Sequence, residues 1–249
     1  MPLLLLPGTL CDARIFAPLQ QRLLSIPTKV ILTTKARSLE DAAAEVLARA
    51  PERFALLGFS LGGMVAMEAA LHAPARVRGL VLLSTIPSPV PPERHAGRRA
   101  TVAACRATPM SRFIRERLWP EYGGAPNDAH TLPLLERMAE SFDHVTFALQ
   151  TEMALRRSDF RPRLAAVACP VLVIAGAADV LCPPAAQQDL VAALPQSTCV
   201  MLPGAGHFAL LEEPDEVAAA VAAWFHILKA ADVHAGYEAA HSSRERENE

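Results

Sequence analysis

No uncharged apolar stretch reaches the roughly 18 residues that a membrane-spanning helix needs, and no charge sign dominates: the formal net charge is −2. The first absence argues against a transmembrane anchor. The second argues against a field that gathers nucleic acid or an acidic membrane surface. Cysteine is sparse and scattered: Cys11, Cys105, Cys169, Cys182 and Cys199, an odd number with no CxxC pair. Such a set argues against a disulfide framework or a zinc site and suits a reducing cytoplasm. The opening run 3–6 is apolar, but no basic residue precedes it and Pro7 cuts it short, so it is too brief for a secretory signal. There are no internal repeats. No metal-ligand cluster or phosphate loop is visible, and neither metal nor organic cofactor is expected.

What is present is an apolar chain, 51% hydrophobic over 249 residues, enough for one α/β domain with an insertion. Apolar runs at 3–6, 30–32, 54–57, 77–83, 171–175 and 199–202 mostly lack apolar/polar alternation. That pattern predicts strands covered on both faces, as in a parallel sheet. Helical patterns fall between them, at 38–50, 61–72, 184–194 and 214–228. Ser38 with Asp41 gives the first an N-cap with an acid three positions on, and Pro184 and Pro214 open the last two. The alternation predicts a doubly wound α/β sheet of about six strands, with core segments 1–85 and 165–231. Between 86 and 164 no strand pattern occurs; a proline-rich entry leads into short helical stretches, expected to form a helical cap over the sheet edge. Residues 232–249 are polar and charged and are expected to be a flexible tail.

Chemistry-bearing residues sit where strands end. Gly58-Phe59-Ser60-Leu61-Gly62 separates a strand from a helix. A serine in so sharp a turn needs small flanking residues, and the turn presents its hydroxyl at a helix N-terminus, where free N–H groups favour developing negative charge. Asp179 follows the 171–175 strand, and His207 lies in Gly204-Ala205-Gly206-His207 after the last strand. His207 is suited to take the Ser60 proton, and Asp179 to orient the imidazole. The other acids of the second half, Asp159 and Asp189, lie off strand ends. His72, His95, His130, His144, His226, His234 and His241 fall in helical, cap or tail contexts and are expected to be surface or packing residues.

The order Ser, Asp, His, together with these three signatures, resembles the α/β-hydrolase superfamily from residue 3 to about 228. Within it the small capped bacterial serine esterases, pimeloyl-[acyl-carrier-protein] methyl ester esterases among them, are most similar; Arg156-Arg157-Ser158-Asp159-Phe160-Arg161 resembles their cap–core junction. The resemblance implies an oxyanion hole from the backbone N–H groups of Leu61 and Thr9, with Leu10 as the alternative to Thr9. Two departures stand out. Pro7-Gly8 replaces the usual His-Gly, and the first two strands of the usual eight are missing. The implied activity is hydrolysis of a carboxylic ester or thioester through an acyl-enzyme, without cofactor. Carbon–carbon bond hydrolysis, lactone opening, cofactor-free haloperoxidase chemistry and a non-catalytic binding protein remain open as alternatives.

The substrate is least legible. Residues 93–117 hold seven arginines (94, 98, 99, 106, 112, 115 and 117) against two acids. This is either a solvated helical face or a docking surface for an acidic partner such as an acyl carrier protein. Trp119, Phe142 and other apolar cap residues either line an acyl pocket or pack; with Leu10 and Phe208 they are the substrate-binding candidates. Cys11 and Cys182 are read as buried small apolar groups near the site mouth.

Overall fold

The computed structural model describes residues 1–124 and 129–246, without the side chains of 231–246. Six strands, β1 (Leu3–Leu6), β2 (Thr28–Val30), β3 (Phe54–Phe59), β4 (Val77–Leu83), β5 (Val171–Gly176) and β6 (Ser197–Leu202), form one sheet in the order β2-β1-β3-β4-β5-β6. Every pairing is parallel. β1, β3 and β5 are buried along their whole length. This explains their unbroken apolar sequence, since both faces are covered by helices. Each buried Leu or Val there contributes ~1.5–3 kcal/mol relative to exposure.

The helices in chain order are α1 (Ala17–Arg22), α2 (Leu39–Arg49), α3 (Leu61–His72), α4 (His95–Cys105), α5 (Met110–Phe113), α6 (Trp119–Glu121), α7 (Thr131–Ala139), α8 (His144–Arg156), α9 (Arg161–Leu164), α10 (Pro184–Ala193), α11 (Ala209–Glu212) and α12 (Pro214–Arg246). The Ser38 side chain accepts from Asp41 N and caps α2, as its sequence requires. The doubly wound α/β sheet is therefore as expected, and α4 to α9 fill the chain between β4 and β5 with no strand among the described residues.

Two boundaries differ from the sequence pattern. The edge strand β2 is Thr28–Val30, displaced from the apolar run 30–32, and its residues are half-buried or exposed. At an edge, backbone pairing to Leu3, Leu4 and Leu5 decides the register while apolarity carries little signal. The last helix continues to Arg246, past position 231. Its buried stripe Val217, Val221, Trp224, Phe225 and Leu228 packs on the core. Beyond that, alanines and charged helix formers extend it. Residues 247–249 of the expected tail lie outside the described residues. Among the described residues, no helix is long and apolar enough to cross a membrane.

Candidate active site

β3 runs into α3 through Ser60, whose φ of 53° and ψ of −116° lie in a region non-glycine residues rarely enter. Holding it there costs about 1–3 kcal/mol. Three bonds impose it: Ser60 N donates to Leu83 O (2.9 Å), Gly63 N to Ser60 O (2.9 Å), and Thr85 Oγ1 to Ser60 O (2.8 Å). The flanking glycines are required by close approach. A Cβ at Gly62 would collide with the carbonyl oxygens of Leu6 and Pro7, and one at Gly58 would strike the backbone of Gly62 and Gly63. The elbow is thus wedged against the start of the loop after β1.

The loops after β5 and β6 are tied together, because Ala178 N donates to Ala205 O (2.9 Å). Asp179 is buried; its Oδ1 accepts from Leu181 N (2.8 Å) and Cys182 N (2.9 Å). Its Oδ2 lies 2.9 Å from His207 Nδ1, and His207 Nε2 lies 3.1 Å from Ser60 Oγ. An ionised carboxylate only accepts, so Nδ1 carries the hydrogen and Nε2 is left to accept from the serine hydroxyl. Glu212 braces the histidine loop by accepting from Gly206 N and Phe208 N. The structure therefore brings Ser60, His207 and Asp179 together. Asp159 instead pairs with Arg161, which also reaches Asp189.

Leu61 opens α3, so its N–H has no intrahelical acceptor. Thr9 and Leu10 sit in the loop after β1, Leu10 with a φ of 55°. The Leu10 N–H donates to Gln150 Oε1 of α8 (3.0 Å), whereas the Thr9 N–H has no hydrogen-bond partner among the described residues.

Of the proposed substrate residues, Trp119 and Phe208 join one ring cluster with Phe59 and His207. Leu10 is buried in the loop beside it, and Phe142 is half-buried outside the ring cluster. Tyr122 was invisible from the sequence. It stacks on His207 with centroids 5.6 Å apart and planes 12° from parallel, and it packs edge-on against Phe208. A short aromatic stretch, Trp119 to Tyr122, before two glycines was the only hint. Burial, and secondarily the nearby Cys11, pushes the Tyr122 phenol well up.

Asp179, Cys182 and His207 offer ligand atoms within 4.8 Å of one another. The first and last are engaged with each other, and burial followed by the Asp179 charge pushes the Cys182 thiol well above its ordinary value, which keeps it a poor metal ligand. Cys11 is buried and likewise raised. Four of the seven arginines of 93–117 are in ion pairs: Arg98–Glu121, Arg99–Glu152, Arg112–Glu116 and Arg115–Glu136. Arg94, Arg106 and Arg117 form none among the described residues.

The family model for the alpha/beta hydrolase fold matches residues 36–214. The chain belongs to the alpha/beta hydrolase family. A pimeloyl-[acyl-carrier protein] methyl ester esterase of Pectobacterium atrosepticum is 34% identical over 188 residues, covering 71% of this chain and 72% of that protein. One from Edwardsiella ictaluri is 31% identical, covering 74% of each. Among solved structures, a thermophilic esterase from Thermogutta terrifontis superposes with a TM-score of 0.81 at 25% identity, covering 92% of this chain and 90% of that one.

Proposed function

We propose that the chain is a serine hydrolase that cleaves a carboxylic ester or thioester. The observation that carries this is the run of hydrogen bonds Ser60 Oγ–His207–Asp179, anchored on a strained serine. Ser60 attacks the acyl carbon as its proton passes to His207 Nε2. Asp179 holds the tautomer and stabilises the imidazolium that forms. The oxyanion rests on the N–H groups of Leu61 and Thr9. The leaving alcohol or thiol takes the proton from Nε2. Water, deprotonated by the same nitrogen, then releases the acid and restores the serine.

The helical insertion 86–164 is read as a cap. Tyr122 stacks on His207 and Trp119 packs on Phe208, and this aromatic wall is read as bounding the leaving-group side and favouring a small alcohol. The relatives named for a pimeloyl-carrier methyl ester support an ester of that kind. The unpaired Arg94, Arg106 and Arg117 are the groups left to meet an acidic carrier protein.

The test is hydrolysis of p-nitrophenyl acetate and butyrate with Ser60→Ala as control, plus a fluorophosphonate probe followed by mass spectrometry. Wild type should release nitrophenol and gain the probe mass at Ser60, and the variant should do neither. Equal release by both proteins would end the serine-hydrolase reading. Salt-sensitive binding of an acyl carrier protein is expected at the insertion; its absence removes that partner and leaves the chemistry standing.

A further inference from the structure

α8 carries Phe147, Gln150, Met153 and Leu155 on its buried side. Three of these are apolar and pack. An amide buried on that face costs free energy unless it is satisfied. Its Oε1 accepts the N–H of Leu10, 140 residues earlier, in the loop that follows β1. Leu10 is buried and held at a φ of 55°, so the bond fixes a backbone that would otherwise relax.

The same peptide group is gripped at its other end. Cys11 Sγ donates to Thr9 O (3.4 Å), so the C=O and N–H of the Thr9–Leu10 unit are both engaged. One unit earlier, Gly8 O accepts from Cys11 N (3.2 Å). A trans peptide points its C=O and N–H in opposite directions. The Thr9 N–H is therefore turned away from Cys11, and of the two candidate donors, Thr9 and Leu10, it is the one without a partner among the described residues. Gln150 also lines a cavity of about 20 Å³ together with Gly8, Cys11 and Leu61, which places it beside Leu61 and the residue that precedes Thr9.

We infer that Gln150 is a positioning residue for the oxyanion hole: by holding Leu10 N–H it assigns the second donor to Thr9 and makes the hole depend on the seating of α8. This rests on the serine-hydrolase reading above. The insertion then does more than cover the site, since α8 completes the electrostatic machinery of the core. An α8 displaced from the loop frees the Leu10 N–H and releases the Gly8–Thr9–Leu10 backbone.

Gln150→Leu removes the acceptor at similar volume, and Gln150→Glu keeps an acceptor at the same reach. With p-nitrophenyl butyrate, Gln150→Leu should lower kcat by about 10- to 100-fold, because displaced donors lose most of their effect. KM should stay within about twofold, since the lost interaction belongs to the transition state. The rate of fluorophosphonate labelling at Ser60 should fall in parallel. Gln150→Glu should retain more kcat than Gln150→Leu at low pH. Its kcat relative to wild type should fall as pH rises, because the ionised carboxylate opposes the oxyanion while the neutral acid does not. A purely structural role lowers stability without moving kcat against KM, so the loss of kcat at unchanged KM is the discriminating readout. A folded Gln150→Leu with kcat within about twofold of wild type overturns the inference, as does a flat ratio for Gln150→Glu. If Gln150→Leu does not fold, the same kcat-against-KM split is read on Gln150→Met, which also lacks the amide acceptor. A wild type that neither releases nitrophenol nor labels at Ser60 overturns the hydrolase reading, and this inference with it.

Discussion

Replacing Asp179 by Asn leaves the shape of the site intact and reverses one hydrogen bond. Oδ1 accepts two backbone N–H groups, from Leu181 and Cys182, and Oδ2 faces His207 Nδ1. An amide has one accepting end. If its NH₂ faced the two N–H groups, both donors would be buried against a third donor, at about 1–3 kcal/mol each. The oxygen must therefore keep the Oδ1 place, which turns the NH₂ toward Nδ1. His207 then accepts at Nδ1, carries its hydrogen on Nε2, and meets Ser60 Oγ with a donor where an acceptor is needed. The imidazolium also loses its counter-charge. On this basis Asp179→Asn should lower kcat by about 10⁴, or ~5.5 kcal/mol, with KM little changed. The assay is steady-state hydrolysis of p-nitrophenyl butyrate together with the fluorophosphonate labelling rate, and a thermal melt checks that the fold is kept. A folded Asp179→Asn retaining more than about a tenth of wild-type kcat would refute the relay and place the working acid elsewhere.

Gly62→Ala drives a methyl into the Leu6 and Pro7 carbonyls, so chemical denaturation should show a loss of about 3 kcal/mol, at the upper end for overpacking; a neutral effect would mean the elbow is looser than described. Thr85→Val removes the hydroxyl that holds Ser60 O, and should cost about 1 kcal/mol of stability together with a fall in kcat; unchanged kinetics would remove Thr85 from the account of the elbow. Tyr122→Ala opens the wall over His207, so kcat/KM for esters of bulky alcohols should rise relative to methyl esters; an unchanged ratio would show that the ring does not bound the leaving group. Burial raises the thiols of Cys11, Cys182 and Cys169, the last to about 11. Stability from a raised group is full below the unfolded thiol value, roughly 8.5, and is lost as pH climbs toward the folded value. Melting temperature should therefore fall steadily above that pH, and a flat alkaline profile would contradict the burial of these thiols.

The sequence made legible what is local. The elbow at Ser60, the acid past β5 and the histidine past β6 each sit in short glycine-bearing turns at strand ends, so strand pattern and turn chemistry coincide with the candidate residue. Ser38 marked the start of α2 for the same reason: a cap is decided within one helical turn. The groups that escaped notice act across distance. Tyr122 gains its role from stacking on a ring 85 positions later. Thr85 gains its role from a carbonyl 25 positions earlier. Gln150 sits in a helix whose apolar spacing gives no reason to single out one amide, and its partner is a backbone N–H, which has no sequence signature. The arginines of 93–117 carry the opposite lesson. Along the chain they form a basic run, but folding supplies Glu121, Glu136 and Glu152 from elsewhere in the insertion, and much of the apparent charge is answered internally. Exposed pairs of this kind contribute only ~0–1 kcal/mol each, so they organise the surface more than they stabilise it. An acidic partner, if this surface meets one, finds Arg94, Arg106 and Arg117 rather than the whole run, while the aromatic contact of Tyr122 and the α8 contact of Gln150 have no period or motif to announce them.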